Sequence, residues 1–209
     1  MPALTRAAAR RIVVDKEGEI VDVCLRPLAL REPVTCKADL VWSHRGEVDV
    51  YCGATRTATE RPQVDHCLEI QFAESALVRA FNNERGCSVS SIATAQASDL
   101  IRAALNNVSN LNVTSAKINQ AKRGPFTAAL NRLDSDRLRS VSIEQLARQG
   151  RGKWMVDNGT WARIERAVVA SYDDVAKVLE DVDALPAASK LVKGSVEELQ
   201  SMLCALGVS

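Results

Sequence analysis

The spacing of apolar residues predicts strands in the first quarter of the chain and helices over most of the remainder. Apolar and polar residues alternate in the early segments, which is typical of half-buried strands. The alternation predicts a hairpin over 11–15 and 19–24 and a second strand pair over 38–42 and 47–51. Two shorter strands are predicted later, one ending at His66 and one over 111–113.

Apolar residues at helical spacing predict helices over 73–84 and 92–106, separated by a polar break. Thr114 is a suitable N-cap for a helix over 115–123, and Gly124-Pro125 is expected to end that helix. Further helices are predicted over 126–133, 142–149, 160–170, 172–182 and 195–206, with a loop over 185–189. The order of elements predicts an α+β protein with a strand-rich N-terminal region over 1–49, a central region over 50–133 and a helical C-terminal region over 134–209.

Composition fits an ordered globular protein. The chain has 209 residues, of which 46% are hydrophobic and 25% charged, and these are ordinary values for a folded domain. Aromatic residues make up only 4%, so the core must consist largely of aliphatic side chains. No apolar run approaches the roughly 18 residues that a membrane span needs.

The ends of the chain and its cysteines predict an intracellular protein, cytoplasmic or nuclear. The N-terminus lacks the apolar stretch of a secretory signal, although its short basic run leaves a mitochondrial presequence as an alternative. The six cysteines include no CxxC pair, so mostly buried, reduced thiols are expected and structural zinc is not. A zinc site is the alternative, and its ligands would be Cys36, Cys52, Cys67 and Cys87.

Charge is unevenly distributed, although the whole chain has a net charge of only +1. Residues 111–153 contain nine Lys or Arg against three Asp or Glu, a net of +6, and residues 157–198 contain five against nine, a net of −4. Such an asymmetry indicates either a nucleic-acid-binding face backed by an acidic region or ordinary solvated helix surfaces.

Four residues in a fixed order form the candidate site. Asp65 and His66 stand together at the predicted end of a strand, Asn110 leads into the next strand, and Asn119 follows nine residues later inside a helix, with Lys122 three residues further on. An Asp-His pair alone is usually structural, so the prediction depends on the ordered set. Together these residues resemble the HNH (His-Me finger) endonucleases.

The resemblance implies a ββα-metal nuclease core within 50–133, with a helical insertion, that hydrolyses phosphodiester bonds of DNA, with RNA as the alternative substrate. His66 would be the general base, because phosphodiester hydrolysis needs a base with a pKa near neutrality. Asp65 and Asn119 would hold one Mg²⁺ or Mn²⁺, which stabilises the departing 3′ oxygen. Asn110 would brace the loop that carries His66, with Asn107 as the competing residue for that role.

Basic residues after Asn119 are the predicted phosphate contacts. Lys122 and Arg123 would lie beside the site, and Arg132, Arg137 and Arg139 would extend the basic surface. Glu69 is expected to form a cap or a salt bridge, His44 to be exposed, and Trp161 to lie in the core. Two other functions stay open, a non-catalytic nucleic-acid-binding module on the same fold and a protein-interaction module that uses the acidic C-terminal helices.

Overall fold

The computed structural model describes residues 11–16, 19–24, 30–84, 91–134, 142–149, 156–181 and 183–208. Helices dominate these residues, and the strands form two small antiparallel pairs, so the predicted α+β class is confirmed. The strands are β1 (Arg11–Lys16), β2 (Glu19–Cys24), β3 (Pro62–His66) and β4 (Leu111–Ser115). The helices are α1 (Ala38–His44), α2 (Ile70–Asn83), α3 (Ser91–Leu105), α4 (Ala116–Asp134), α5 (Ile143–Gln149), α6 (Asn158–Glu180) and α7 (Pro186–Ala205).

Each strand pairs with one partner. β1 and β2 form the predicted hairpin, with Arg11 opposite Cys24. β3 pairs with β4 although α2 and α3 lie between them in the chain, and Asp65 is opposite Asn112 in that register. β4 continues directly into α4, so the central region contains two antiparallel strands followed by a helix.

The helix after β4 is longer than the sequence predicts. Gly124 and Pro125 lie inside α4 and do not end it. An interior proline costs about 3 kcal/mol, but Phe126, Ala129 and Leu133 continue a buried face at helical spacing, and their burial offsets that cost. The prediction of Thr114 as the N-cap is also wrong. Thr114 lies in β4, and the Ser115 hydroxyl accepts the hydrogen bond from the Ile118 N–H.

The predicted strand pair over 38–51 is wrong. Residues 38–44 form α1, which buries Val41 and Trp42 against a small apolar cluster that includes Leu111 and Val113 of β4. Burial of adjacent residues fits a helix face and not the alternation of a strand. Residues 47–51 form a turn, in which Val48 forms an isolated antiparallel bridge with Thr55.

The last two helices, α6 and α7, are longer than predicted and belong to the main core. The two helices expected over 160–182 form the single helix α6, because Ser171 is buried and continues the face of Val168 and Val175. The loop expected over 185–189 is the first turn of α7, where Pro186 is well placed. Buried residues of α2 to α7, including Trp161, form one apolar cluster.

Among the described cysteines, Cys36 and Cys204 are exposed, contrary to the expectation of mostly buried thiols, whereas Cys67 is buried. Cys87 and its part in the zinc alternative lie outside the described residues. In the described part of the chain no helix combines the length and the apolar character that crossing a bilayer requires.

Candidate active site

The candidate site lies where β3 ends. His66 is the last residue of β3 and pairs with Leu111, and the next N–H, that of Cys67, donates to the Asn110 carbonyl at 2.8 Å. Consecutive strand residues project to opposite faces. Asp65 accordingly contacts α4, whereas His66 contacts Asn106, which directly follows α3.

The carboxylate of Asp65 is held by two donors. Its Oδ2 accepts from the Lys122 ammonium at 2.8 Å and from the Tyr51 hydroxyl at 2.9 Å. The same ammonium lies 3.0 Å from Oε1 of Glu69 and also donates to the backbone carbonyl of His66. One buried cation therefore joins the strand end, the start of α2 and the middle of α4.

Lys122 is not a surface phosphate contact, which corrects the sequence prediction. Its side chain has 0% exposure and lies on the buried face of α4, four residues before Phe126. The ammonium is 5.3 Å from the centre of the Phe126 ring and 5.4 Å from that of Tyr51. Burial opposes its charge, but the carboxylates of Asp65 and Glu69 outweigh burial and raise the pKa of Lys122.

Glu69 forms the salt bridge that was one of its two predicted roles. It precedes α2 directly, but its side chain makes no capping hydrogen bond. Burial raises the pKa of its carboxyl, while the nearby Lys122 ammonium lowers it.

His66 is buried, with only 2% of the residue exposed. Its Nε2 lies 3.0 Å from Oδ1 of Asn106. Burial lowers the pKa of His66, and the hydrogen bond to Asn106 opposes that effect. A histidine in this environment is neutral near neutral pH, as a proton acceptor must be.

Asn110 ties the turn after His66 to the end of α3. Its Oδ1 accepts from the Leu68 N–H at 2.8 Å, and its Nδ2 donates to the carbonyls of Leu68 at 3.2 Å and Leu105 at 2.9 Å. The competing residue, Asn107, instead accepts from the Ser109 N–H and caps a short turn. The structure thus places Asn110, and not Asn107, against the loop that follows His66.

Asn119 lies on the same side of β3 as Asp65. Its Nδ2 donates to Oε1 of Gln63 at 3.0 Å. Because Gln63 is two residues before Asp65 on the strand, both side chains project toward α4. His66 projects to the other face and approaches this side only through its backbone carbonyl.

The oxygen atoms on this side fit the preferences of a hard divalent cation. Hydrogen bonds between Asp65 and the described residues go to Oδ2, which leaves Oδ1 for another ligand. The bond of Asn119 to Gln63 uses Nδ2 and leaves the amide oxygen. Mg²⁺ and Mn²⁺ take such oxygens and keep several waters.

An ion at this site would depend heavily on water, amide oxygens and substrate. Within the described ranges no group of three or more His, Cys, Asp and Glu side chains is arranged to hold a metal. Asp65 is therefore the principal anionic ligand available on the β3 face.

Two residues that sequence analysis missed position this carboxylate. Tyr51 is fully buried and reaches Asp65 from the turn after α1. Asp49, also fully buried, holds that turn because its carboxylate accepts from the Tyr51 N–H, the Asn112 amide and the Thr114 hydroxyl. A polar residue between apolar ones, as in Val48-Asp49-Val50, was the available signal, but the pattern was interpreted as a strand.

The remaining predicted phosphate contacts are only partly described. Arg123 is exposed and Arg132 half-buried on α4. Arg137 and Arg139 lie outside the described residues. Arg31, which sequence analysis did not single out, is exposed and near enough to lower the pKa of His66. His44 is exposed at the end of α1, as expected.

Comparison of the chain with protein-family models, with curated proteins and with solved structures yields no match.

Proposed function

We propose that this protein is a divalent-metal-dependent endonuclease of the HNH type that hydrolyses phosphodiester bonds. One observation carries the proposal: hydrogen bonds connect the end of β3 to α4 and to the residues just before β4. Asp65 and His66 end β3, Asn110 holds the following turn, and α4 contacts β3 through Asn119 and Lys122. The order and spacing that suggested the family are thus accompanied by contacts between β3 and α4, among them the ion pair of Asp65 with Lys122.

In the proposed reaction His66 removes a proton from the attacking water. Because its side chain projects to the face of β3 opposite Asp65 and Asn119, this step requires water and phosphate to reach the imidazole around the end of the strand. The lowered pKa of His66 supports this role, because the imidazole is neutral at neutral pH and can accept the proton. Asp65 and Asn119 would hold Mg²⁺ or Mn²⁺, which would supply charge stabilisation for the departing 3′ oxygen. Lys122 and Tyr51 fix the Asp65 carboxylate, so its free oxygen has a defined direction.

DNA is the preferred substrate in this proposal. The exposed Arg123 on α4 and the exposed Arg31, which is near enough to lower the pKa of His66, supply positive charge for phosphate contacts. Contacts from arginine to phosphates position a duplex without reading its sequence. A protein partner for the acidic faces of α6 and α7 is compatible with the same enzyme.

The proposal is tested by incubating the purified protein with supercoiled plasmid and with RNA, in Mg²⁺, in Mn²⁺ and in a chelator. Cleavage of plasmid in metal and none in chelator is expected. Asp65→Asn and Asn119→Ala should need more metal for half-maximal cleavage, because each removes or weakens a ligand. Cleavage that is indifferent to the chelator would refute the metal-dependent mechanism.

A non-catalytic nucleic-acid-binding module is the second candidate. It is favoured by the 2% exposure of His66 and by the ammonium that already neutralises Asp65. Binding of plasmid without cleavage in either metal would select this function.

A further inference from the structure

We infer that Asn106 is a positioning residue that holds His66 in the tautomer protonated on Nε2 and leaves Nδ1 as the nitrogen that accepts a proton. The tautomer follows from the contacts of Asn106 alone. Its bearing on catalysis rests on the proposed nuclease function.

The orientation of the Asn106 amide is fixed by its partners. Nδ2 donates to the carbonyl oxygens of Leu30 at 2.7 Å and Arg102 at 2.8 Å. Carbonyl oxygens only accept, so the group that faces them must be the amide NH₂. The backbone N–H of Glu32 lies 3.4 Å from the other atom, which must therefore be the oxygen. Exchanging the nitrogen and the oxygen would break all three contacts.

The atom that faces His66 is consequently an acceptor. Oδ1 of Asn106 lies 3.0 Å from Nε2 of His66, and this contact is a hydrogen bond only if Nε2 carries the proton. Asn106 and His66 are each 2% exposed, so solvent competes little for the bond. In neutral imidazole one nitrogen is a donor and the other an acceptor, which places the lone pair on Nδ1.

The hydrogen bond between Nε2 of His66 and Oδ1 of Asn106 also stabilises the imidazolium that proton transfer produces. When a proton moves from water to Nδ1, the ring becomes a cation with a proton on each nitrogen. The proton on Nε2 stays bonded to Oδ1, and the amide oxygen helps to stabilise the positive charge. Asn106 thus supports both protonation states without touching substrate or water.

Asn106 is held from two directions. Lys37 donates from its ammonium to the Asn106 backbone carbonyl at 2.8 Å, and the Leu30 and Glu32 contacts tie the side chain to the segment before α1. On the other side Arg102 anchors it to α3. Asn107, the next residue, is exposed and its side chain accepts from the Ser109 N–H, which makes it a matched control.

The tautomer is measured by ¹⁵N-resolved NMR of the histidine rings in the full chain, at a pH where the rings are neutral. The chain has only two histidines, and a His44→Gln variant assigns the signals. His66 is expected to show a protonated Nε2 and an unprotonated Nδ1. A protonated Nδ1 in the unmodified protein overturns the inference, whatever the variants do.

Three variants test the role of Asn106. Asn106→Asp loses the two hydrogen bonds to the carbonyls of Leu30 and Arg102, but a folded Asn106→Asp protein keeps an oxygen opposite Nε2 and should keep the tautomer. Asn106→Ala should give a mixture of both forms. Asn107→Ser keeps its capping oxygen and should leave the His66 signals unchanged. A folded Asn106→Ala protein that keeps the single tautomer would show that Asn106 does not set it.

The rate of plasmid cleavage tests whether Asn106 affects catalysis through His66. Asn106→Ala should lower kcat by about 10- to 100-fold with little change in KM, because the residue acts through His66 and not on the substrate. An unchanged kcat in a folded Asn106→Ala protein with mixed tautomers overturns the catalytic part of the inference. Absence of cleavage by the unmodified protein rejects the proposed function, while the NMR result still decides the tautomer.

Discussion

The ammonium nitrogen of Lys122 lies 2.8 Å from the carboxylate oxygen Oδ2 of Asp65, and the lysine side chain has no exposure to solvent. Glu69 and Tyr51 complete the surroundings of the ammonium, so a charged group in the interior has a full set of partners. This pair joins α4 to the end of β3. The stability of the protein and the direction of the Asp65 carboxylate both depend on it.

Replacing Lys122 with methionine should destabilise the fold by about 3–5 kcal/mol, because removal of one partner leaves the other buried charge uncompensated. The change is measured as the difference in unfolding free energy in urea. Lys117→Met is the control, because Lys117 is exposed on the same helix, and its effect should stay within about 0.5 kcal/mol. Equal effects of the two substitutions would contradict a stabilising role of the buried ion pair.

His66 should make folding stability depend on pH. Burial lowers its pKa in the folded state below the ordinary value of 6.5, so the unfolded chain binds more protons in that range. The stabilising contribution of neutral His66 to the free energy of unfolding is therefore present above pH 6.5. It is lost as the pH falls through 6.5 toward the folded-state pKa. Buried carboxyls such as Glu69 titrate with the opposite sign.

The contribution of His66 is isolated by comparing the unmodified protein with His66→Gln between pH 7.5 and pH 5. The unmodified protein should lose more stability on acidification than this variant. His44→Gln, at an exposed position, should behave like the unmodified protein. Parallel pH profiles for all three proteins would show that His66 titrates alike in the folded and unfolded states.

Asn110→Ala should destabilise the protein by about 1–3 kcal/mol for each buried group it leaves unpaired. The amide serves both the N–H and the carbonyl of Leu68 and the carbonyl of Leu105. Asn107→Ser, which keeps a capping oxygen, is the comparison and should change stability little. Thermal or urea unfolding measures the stability of both variants. A smaller loss of unfolding free energy for Asn110→Ala than for Asn107→Ser would contradict the bracing role of Asn110.

Arg123→Gln should weaken binding of duplex DNA and reduce the slope of log affinity against log salt by about 1, the effect of one lost phosphate contact. Fluorescence anisotropy at several salt concentrations gives both quantities. Lys193→Gln, at an exposed position on α7, should change neither. A slope that is the same for Arg123→Gln and the unmodified protein would place Arg123 outside the binding surface.

The sequence predicted the β3 end, β4 and the helices around them, because these elements follow simple periodicity. Prediction of helix boundaries from the hydropathy pattern was wrong where a polar side chain is buried. Gly124-Pro125 predicts two helices where α4 is one, and the polar Lys122 conceals the buried face that continues through it. Ser171 divides α6 in the same way. In both cases the buried face continues through a residue that hydropathy counts as polar.

The partners of the site residues were less predictable than the residues themselves. Asp65 and His66 are adjacent in sequence and carry recognisable chemistry. Tyr51 and Asn106 reach them from turns 14 residues before Asp65 and 40 residues after His66, and no local pattern marks either contact. Only tertiary packing decides that Lys122 faces Asp65 and that Asn106 faces His66.

The rate of plasmid cleavage by His66→Ala, measured in saturating Mg²⁺ beside the unmodified protein and His44→Ala, tests the central claim most directly. Loss of a general base typically lowers the rate by about 10²- to 10⁴-fold, so His66→Ala should fall by that factor while His44→Ala cleaves like the unmodified protein. The account is contradicted if His66→Ala cleaves at the rate of the unmodified protein.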